Sequence, residues 1–174
     1  MNSTRWTLAI AAVVALALFT ALLAIPFMTT TLSDGVQAYS QGDYATAYKD
    51  LKPMAADGEP TAQYVLGEMY RLGQGVKKDE ATAVKWYKKA AEGGSPEGQY
   101  ALGMCYATGV GTDVDMIGAY QWLSLSIIRL ASWQNERRSL AVDTRSKLLT
   151  VMDQSDVEKA KDLVRSWDKK LGGS

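Results

Sequence analysis

The chain has 174 residues with 19 cationic and 19 anionic side chains, so its formal net charge at pH 7 is zero. A balanced charge argues against nucleic-acid binding, because that function needs a basic face. The sequence has no histidine, which removes the commonest general base and the commonest metal ligand. Its one cysteine, Cys105, excludes an intramolecular disulfide. The composition therefore predicts neither a metal site nor a bound cofactor.

The first predicted element is an uncharged run over residues 6–28. As a helix it would measure roughly 35 Å, enough to cross a hydrocarbon core of about 30 Å. The apolar region of a signal peptide is shorter, about 7 to 15 residues, and no small-residue cleavage motif follows this run. We therefore predict a transmembrane anchor within residues 1–30, with a cleaved secretory signal as the alternative.

The orientation of this anchor follows from the charges around it. Arg5 is the only charged side chain ahead of the run, and together with the amino terminus it favours a cytoplasmic N-terminus. The predicted location is the bacterial inner membrane, with a single pass and the rest of the chain in the periplasm. If the segment is instead a cleaved signal, the mature protein is periplasmic or secreted.

Residues 31–60 are predicted to form an incomplete first repeat. Ser33 is expected to cap a short helix that runs through Tyr39. Gly42 and Asp43 then indicate a turn into a second helix. Gly58 is expected to end that helix, because it stands one repeat length, 36 residues, before a glycine of the next unit.

The central stretch repeats itself at a fixed offset of 36 residues. Within residues 62–94, ten residues recur identically at that offset: Gln63, Tyr64, Leu66, Gly67, Tyr70, Gly73, Gly75, Asp79, Ala83 and Trp86 match Gln99, Tyr100, Leu102, Gly103, Tyr106, Gly109, Gly111, Asp115, Ala119 and Trp122. Repeats of this length are typical of helical arrays. Residues 61–96 and 97–132 are therefore predicted to be two full units.

Each full unit is predicted to consist of a helix, a glycine-rich turn and a second helix. The boundaries fall at prolines that begin the first helices, glycines that end them and aspartates that cap the second helices: Pro60, Pro96, Gly73, Gly109, Asp79 and Asp115. Gly67 and Gly103 lie inside the first helices, where glycine costs about 1 kcal/mol relative to alanine. That cost is explained if two helices approach closely there, with Ala83, Ala90 and Ala91 as the expected partners.

Residues 133–174 follow the repeats and are predicted to form C-terminal capping helices. A long helix of mixed charge is expected first. Ser155 and Glu158 then indicate a capping box at the start of the last helix. Five apolar residues of that helix recur at helical spacing: Val157, Ala160, Val164, Trp167 and Leu171. This apolar face is expected to close the open end of the array.

The first full copy carries the pattern L-G-x-x-Y-x-x-G-x-G-V-x-x-D-x-x-x-A-x-x-W-Y-x-x-A-A-E-x-G. This pattern closely resembles the Sel-one-like repeat, a branch of the tetratricopeptide superfamily. The second copy departs from it at Thr112, Leu123 and Ile127. The resemblance extends from about Ser33 to the C-terminus. It implies an all-α fold, a short right-handed α-solenoid of helix-turn-helix repeats, and a scaffold or adaptor role rather than an enzyme activity.

In tetratricopeptide units the first helices line a concave face. Alignment by Gly67 and Gly103 points one set of residues onto that face: Tyr64, Glu68, Arg71, Tyr100 and Met104, with Thr108 next in the series. Tyrosine, methionine and arginine are enriched in interface cores. We therefore predict that a peptide or protein partner binds here, with no small-molecule substrate. The alternative is that Tyr64 and Tyr100 only pack between neighbouring helices.

Two other functions remain open from the sequence. Some cysteine-rich relatives of these repeats have been linked to β-lactamase-type hydrolysis. Those relatives carry paired cysteines in each repeat, whereas this chain has only Cys105, which we expect to be a buried structural residue. The necessary serine–lysine motif with its companion elements is also missing. The second alternative is a structural assembly factor of a membrane or envelope complex.

Overall fold

The computed structural model describes residues 30–131 and 133–173, and all regular secondary structure in these residues is α-helical. We number its helices α1 (Leu32–Ser40), α2 (Tyr44–Ala56), α3 (Pro60–Leu72), α4 (Glu80–Glu92), α5 (Pro96–Thr108), α6 (Met116–Arg129), α7 (Asn135–Val151) and α8 (Gln154–Lys170). The predicted membrane helix over residues 6–28 lies outside the described residues. Among the helices that are described, none is both long and apolar enough to span a bilayer.

The first six helices form three consecutive pairs, α1/α2, α3/α4 and α5/α6. Each first helix also packs on the second helix of the preceding pair, and the first helices α1, α3 and α5 contact one another in series. This is the nearest-neighbour packing of a stacked repeat array. The prediction of an all-α array of helix-turn-helix units is therefore confirmed.

The predicted glycine and proline boundaries and most of the predicted caps hold in the structure. Gly73 and Gly109 end α3 and α5 in the left-handed conformation, with φ of 72° and 75°. Ser95 caps α5, because its Oγ accepts a hydrogen bond from the backbone N–H of Gly98 at 3.0 Å. Asp115 caps α6 in the same way, accepting the third-residue amide at 2.9 Å.

Two predicted caps are wrong. Thr31, not Ser33, caps α1, because its Oγ1 accepts the Asp34 N–H at 3.3 Å while the Asp34 carboxylate accepts the Thr31 N–H at 2.8 Å. Asp153, not Ser155, caps α8, and its carboxylate accepts a first-turn amide at 2.8 Å. Both helices begin two residues earlier than predicted, because an earlier side-chain oxygen satisfies the free amides of the first turn.

The close helix approach predicted at Gly67 and Gly103 is confirmed, but the predicted alanine partners are wrong. A Cβ on Gly67 would overlap the ring of Tyr87, and a Cβ on Gly103 would lie 2.8 Å from Cγ of Leu123. Tyr87 and Leu123 occupy equivalent positions in the two repeats. Ala90 instead faces Gly98, where an added Cβ would lie 2.6 Å away.

The two C-terminal helices, α7 and α8, both pack against α6. In α8, Val157 and Ala160 are buried. Trp167 packs against Trp122 of α6 in a tilted arrangement, with ring centroids 5.0 Å apart. Arg129 of α6 also forms an ion pair with Asp168 of α8, with an N–O distance of 2.6 Å. The last helix thus covers apolar surface of α6 that the repeats alone would leave exposed.

Candidate functional site

A cavity of about 390 Å³ opens where the first helices α3 and α5 lie side by side. We call it the first-helix groove. All five residues predicted from the sequence line it: Tyr64, Glu68 and Arg71 from α3, and Tyr100 and Met104 from α5. Thr108 lies at its edge. The structure therefore brings the predicted set together around one cavity, and partner binding there remains a prediction.

Glu68 is the centre of a small polar network in the groove. Arg71 donates two hydrogen bonds to it, Nε to Oε1 at 3.1 Å and Nη2 to Oε2 at 2.7 Å. The hydroxyl of the buried Tyr87 also donates to Oε1 of Glu68. The Glu68 side chain is 15% exposed and that of Arg71 is 40% exposed. The positive charge of Arg71 is thus largely balanced within the chain.

Burial and the neighbouring Glu68 carboxylate raise the pKa of Tyr87, so its hydroxyl stays protonated and remains a donor. Burial likewise raises the pKa of Tyr64 to about 12. The hydrogen bond to Glu68 raises the pKa of the Arg71 guanidinium, which keeps its charge at any physiological pH. The groove therefore presents neutral tyrosines and a permanently charged Arg71.

Arg137, from the N-terminal part of α7, is a groove residue that the sequence reasoning missed. Its Nη2 donates to Oη of Tyr64 at 3.0 Å. None of the ion pairs among the described residues includes Arg137. The repeat period gives no signal for Arg137, because one further step of 36 residues from Tyr100 reaches its neighbour Glu136.

A second cavity of about 620 Å³ adjoins the first and shares Tyr64, Glu68 and Arg137 with it. It extends towards α1 and towards Trp133, whose side chain is 79% exposed. Tyr64 and Arg137 thus lie between the two cavities and contribute to the lining of both. The two cavities together involve residues of the three first helices α1, α3 and α5.

Cys105 also lines the first-helix groove, and its side chain is buried as predicted. Burial raises the pKa of its thiol to about 11, which is the opposite of the shift that activates a nucleophilic cysteine. Within the described part of the chain, no group of three or more histidine, cysteine or acidic side chains is placed to hold a metal ion.

Comparisons with known proteins agree with this architecture. Residues 60–95 and 96–127 match the family model described as Sel1 repeat. The crystal structure of a protective antigen from uropathogenic Escherichia coli strains, which displays an SLR fold, is similar with a TM-score of 0.68 and 27% sequence identity. That similarity covers 80% of this chain but 29% of the antigen, so this chain spans less than a third of that protein.

A Sel1 repeat protein from Oxalobacter formigenes is also similar, with 30% sequence identity and a TM-score of 0.49. The similarity covers 62% of this chain and 96% of that protein. No curated protein matches this chain.

Proposed function

This chain belongs to the Sel1 repeat family, and from that premise we propose that it is a non-enzymatic interaction module. The family and fold point to a scaffold for protein–protein contact, since stacked repeats offer extended binding surfaces. Our more specific proposal is that a peptide or protein partner lies in the first-helix groove. The hydrolase alternative has less support, because it relies on paired cysteines that this chain lacks and on chemistry that the buried Cys105 does not favour.

The observation that carries the proposal is the composition of the groove. Tyr64, Tyr100 and Met104 are half-buried and surround a cavity that the chain itself leaves open. Aromatic, thioether and arginine side chains of this kind are enriched in the cores of interfaces, where a few of them dominate the binding energy. The two full repeats contribute residues at equivalent positions, so the lining of the groove repeats with the same 36-residue period as the helices.

The charges of the groove favour a particular kind of partner segment. Arg71 is already paired with Glu68, whereas Arg137 has no carboxylate partner among the described residues. A segment with an acidic group facing Arg137 would gain a charge-assisted hydrogen bond there. Its apolar side chains would lie beside Tyr100 and Met104. We therefore propose an acidic segment with an apolar anchor residue as the partner chemistry.

A site-specific crosslinking experiment tests this proposal. A photo-reactive amino acid at position 104 of the full chain, introduced in cells, should give a discrete covalent adduct with a protein partner. The same amino acid at position 159, on the exposed side of α8, serves as the control and should give no such adduct. An identical pattern at both positions would contradict binding in the groove.

Two neighbouring arginines provide a matched pair of variants. Arg137→Gln removes the charge that faces the groove, whereas Arg138→Gln removes an exposed charge on the same helix. Loss of a central interface residue typically costs about 2 kcal/mol, or roughly thirtyfold in affinity. We expect that loss of affinity for Arg137→Gln and for Tyr100→Ala in proteins that remain folded, as checked by their melting temperatures. Equal crosslinking by both arginine variants would place the partner elsewhere.

Arg71→Ala, although also in the groove, is a less direct test. It would leave the mostly buried Glu68 carboxylate without its main cationic partner, and an unpaired buried charge destabilises a fold. A loss of binding by this variant is informative only if its free energy of unfolding is measured in parallel.

We further propose that residues 6–28 anchor the chain in the bacterial inner membrane, with the N-terminus in the cytoplasm and the repeats in the periplasm. The support is the uncharged run and the single preceding Arg5. The anchored protein should resist extraction from membranes by alkaline carbonate and should keep its N-terminus by intact mass. A soluble product beginning near residue 30 would identify a cleaved signal instead.

A further inference from the structure

We propose that the cavity between α6, α7 and α8 binds the phosphate group of a small molecule, in addition to the partner bound at the first-helix groove. This cavity measures about 220 Å³ and shares no lining residue with the groove. Three cationic side chains line it, Arg145 from α7 and Lys161 and Arg165 from α8. No carboxylate is among its lining residues in the described part of the chain.

Ser124 provides a buried hydrogen-bond donor in this cavity. Its side chain is 5% exposed, and its Oγ is fully buried without a hydrogen-bond partner. Serine in a helix usually bonds a carbonyl of the preceding turn. Ser126, two residues further along the same helix, does so with Leu123 at 2.8 Å. An unsatisfied buried hydroxyl that lines a cavity calls for a partner, and a ligand oxygen would supply one.

Arg145 adds an uncompensated charge next to this hydroxyl. Its Nε is buried without a hydrogen-bond partner, and its guanidinium carbon lies 5.9 Å from the ring centroid of Tyr120. None of the ion pairs among the described residues includes Arg145. A planar guanidinium held in this way binds oxyanions in a fixed geometry.

The other two cations are held only loosely by the chain. Lys161 pairs with Glu158 at 2.9 Å, and Arg165 pairs with Asp162, each three residues earlier on α8. Such exposed pairs contribute little and exchange readily. Both side chains therefore have donors to offer to a ligand.

Three cations and one hydroxyl donor line this cavity, and the two carboxylates that pair with Lys161 and Arg165 lie outside its lining. This arrangement favours a ligand with two negative charges. A phosphate group carries nearly two at neutral pH and presents several strong acceptor oxygens. Ile128 and Val164 form an apolar wall of the cavity. An organic substituent on the phosphate could pack against that wall. The ligand is therefore either the free phosphate anion or a small organic phosphate.

Calorimetric titration of the full chain in detergent tests the proposal with three probes. Inorganic phosphate and phenyl phosphate should each bind saturably at one site, and acetate, with one charge, should bind about tenfold or more weakly. Tighter binding of phenyl phosphate would assign the site to organic phosphates, and equal binding would assign it to the free anion. Absence of saturable binding by both phosphate probes would overturn the proposal, as would acetate binding equal to phosphate.

Variants separate this site from general charge attraction. Arg145→Gln should weaken phosphate binding about tenfold, whereas Arg138→Gln, on the same helix outside the cavity, should leave it unchanged. Ser124→Ala should also weaken it, by about fivefold, without lowering the melting temperature of the free protein, because its hydroxyl has no partner to lose.

Three results would overturn the site. The first is equal loss of phosphate binding in Arg145→Gln and Arg138→Gln, which would indicate only nonspecific attraction. The second is loss in Arg137→Gln, which would place the anion in the first-helix groove. The third is full affinity in a folded Ser124→Ala variant combined with full affinity in Lys161→Gln. Phosphate binding is measured independently of partner crosslinking. A failure of this proposal can therefore be distinguished from a failure of the proposed function.

Discussion

The side chain of Gly67 is a single hydrogen, and the ring of Tyr87 occupies the space where a Cβ would stand. Gly67→Ala should gain about 1 kcal/mol of helix propensity. Overpacking costs about 1–3 kcal/mol, and the Tyr87 ring that the new methyl group would overlap is fully buried. We therefore expect a net loss of up to about 2 kcal/mol in the free energy of unfolding, measured by urea titration.

The Tyr87→Leu background provides the control for this prediction. With the ring replaced by a smaller side chain, the added methyl group should be tolerated, so the loss caused by Gly67→Ala should shrink or disappear. If Gly67→Ala instead stabilises the wild-type chain, α3 and α4 have room for the added methyl group and the predicted steric conflict is wrong.

The thiol of Cys105 has a pKa raised by burial from 9.0 to about 11. Below pH 9 its thiolate fraction in the folded chain should therefore be roughly a hundredfold smaller than in the unfolded chain. We expect the native chain at pH 8 to react with a chromogenic disulfide about a hundredfold more slowly than the urea-unfolded chain. Equal rates would mean that the thiol is accessible and its pKa ordinary.

The same shift has a consequence for stability. Because the folded state retains the Cys105 proton to a higher pH than the unfolded state, the free energy of unfolding should fall as the pH rises from about 9 to about 11. Cys105→Ser should reduce that decline. The comparison isolates the cysteine from Tyr64, whose raised pKa affects a still more alkaline range.

Individual groove residues were predictable from the sequence where the repeat register determines them. Tyr64 and its equivalent in the second copy follow from the position of the mid-helix glycine alone. Arg137 and Tyr87 do not, because they enter the groove from other helices whose placement depends on packing. The pairing of Arg71 with Glu68 follows from their spacing, because residues three apart on a helix are neighbours, and it leaves Arg71 a weaker binding group than the sequence prediction assumed.

The N-terminal end of a helix is stabilised by a side chain that caps its free backbone amides. Ser95 caps α5, and its side chain is buried in the turn between two units. Ser95→Ala should cost about 1–2 kcal/mol, because the N–H of Gly98 loses its acceptor. Ser139→Ala, at an exposed position of α7, is the matched control and should change stability by less than about 0.5 kcal/mol. Comparable losses would show that the cap is dispensable.

Most element boundaries follow from local chemistry, since proline, glycine and capping residues act over a few positions. The errors at α1 and α8 arose where two candidate caps stand within two residues of each other, Thr31 beside Ser33 and Asp153 beside Ser155. Local sequence does not decide such a competition. The packing of α8 at the end of the repeats was expected from its apolar face. The packing of α7 on α6 was not predictable, because it lies beyond the period that orders the repeats.

The whole array depends on a few large residues that join neighbouring units. Trp122 is 6% exposed and packs against Trp167 of the last helix. Trp122→Ala should cost about 3–5 kcal/mol. Trp133→Ala provides the matched control, because Trp133 is exposed, and it should change the free energy of unfolding by less than about 0.5 kcal/mol. Similar effects of the two substitutions would mean that α8 does not stabilise the array.

At the scale of the molecule, the fold class was predictable because a 36-residue period leaves few architectures open. The predicted anchor over residues 6–28 lies outside the described residues and remains a prediction. The identity of a partner depends on the surface chemistry of another molecule, so the repeat period of this chain does not predict it.

Folding order follows from one contact of the groove. Helix pairs in a repeat array join residues close in sequence and form quickly. The hydrogen bond between Arg137 and Tyr64 instead joins residues 73 positions apart, so it requires closure of a long loop and forms late. During synthesis, α3 and α5 therefore stand complete while the groove still lacks its α7 wall. A chain that emerges N-terminus first therefore completes the proposed binding groove only when α7, in its last quarter, has been made.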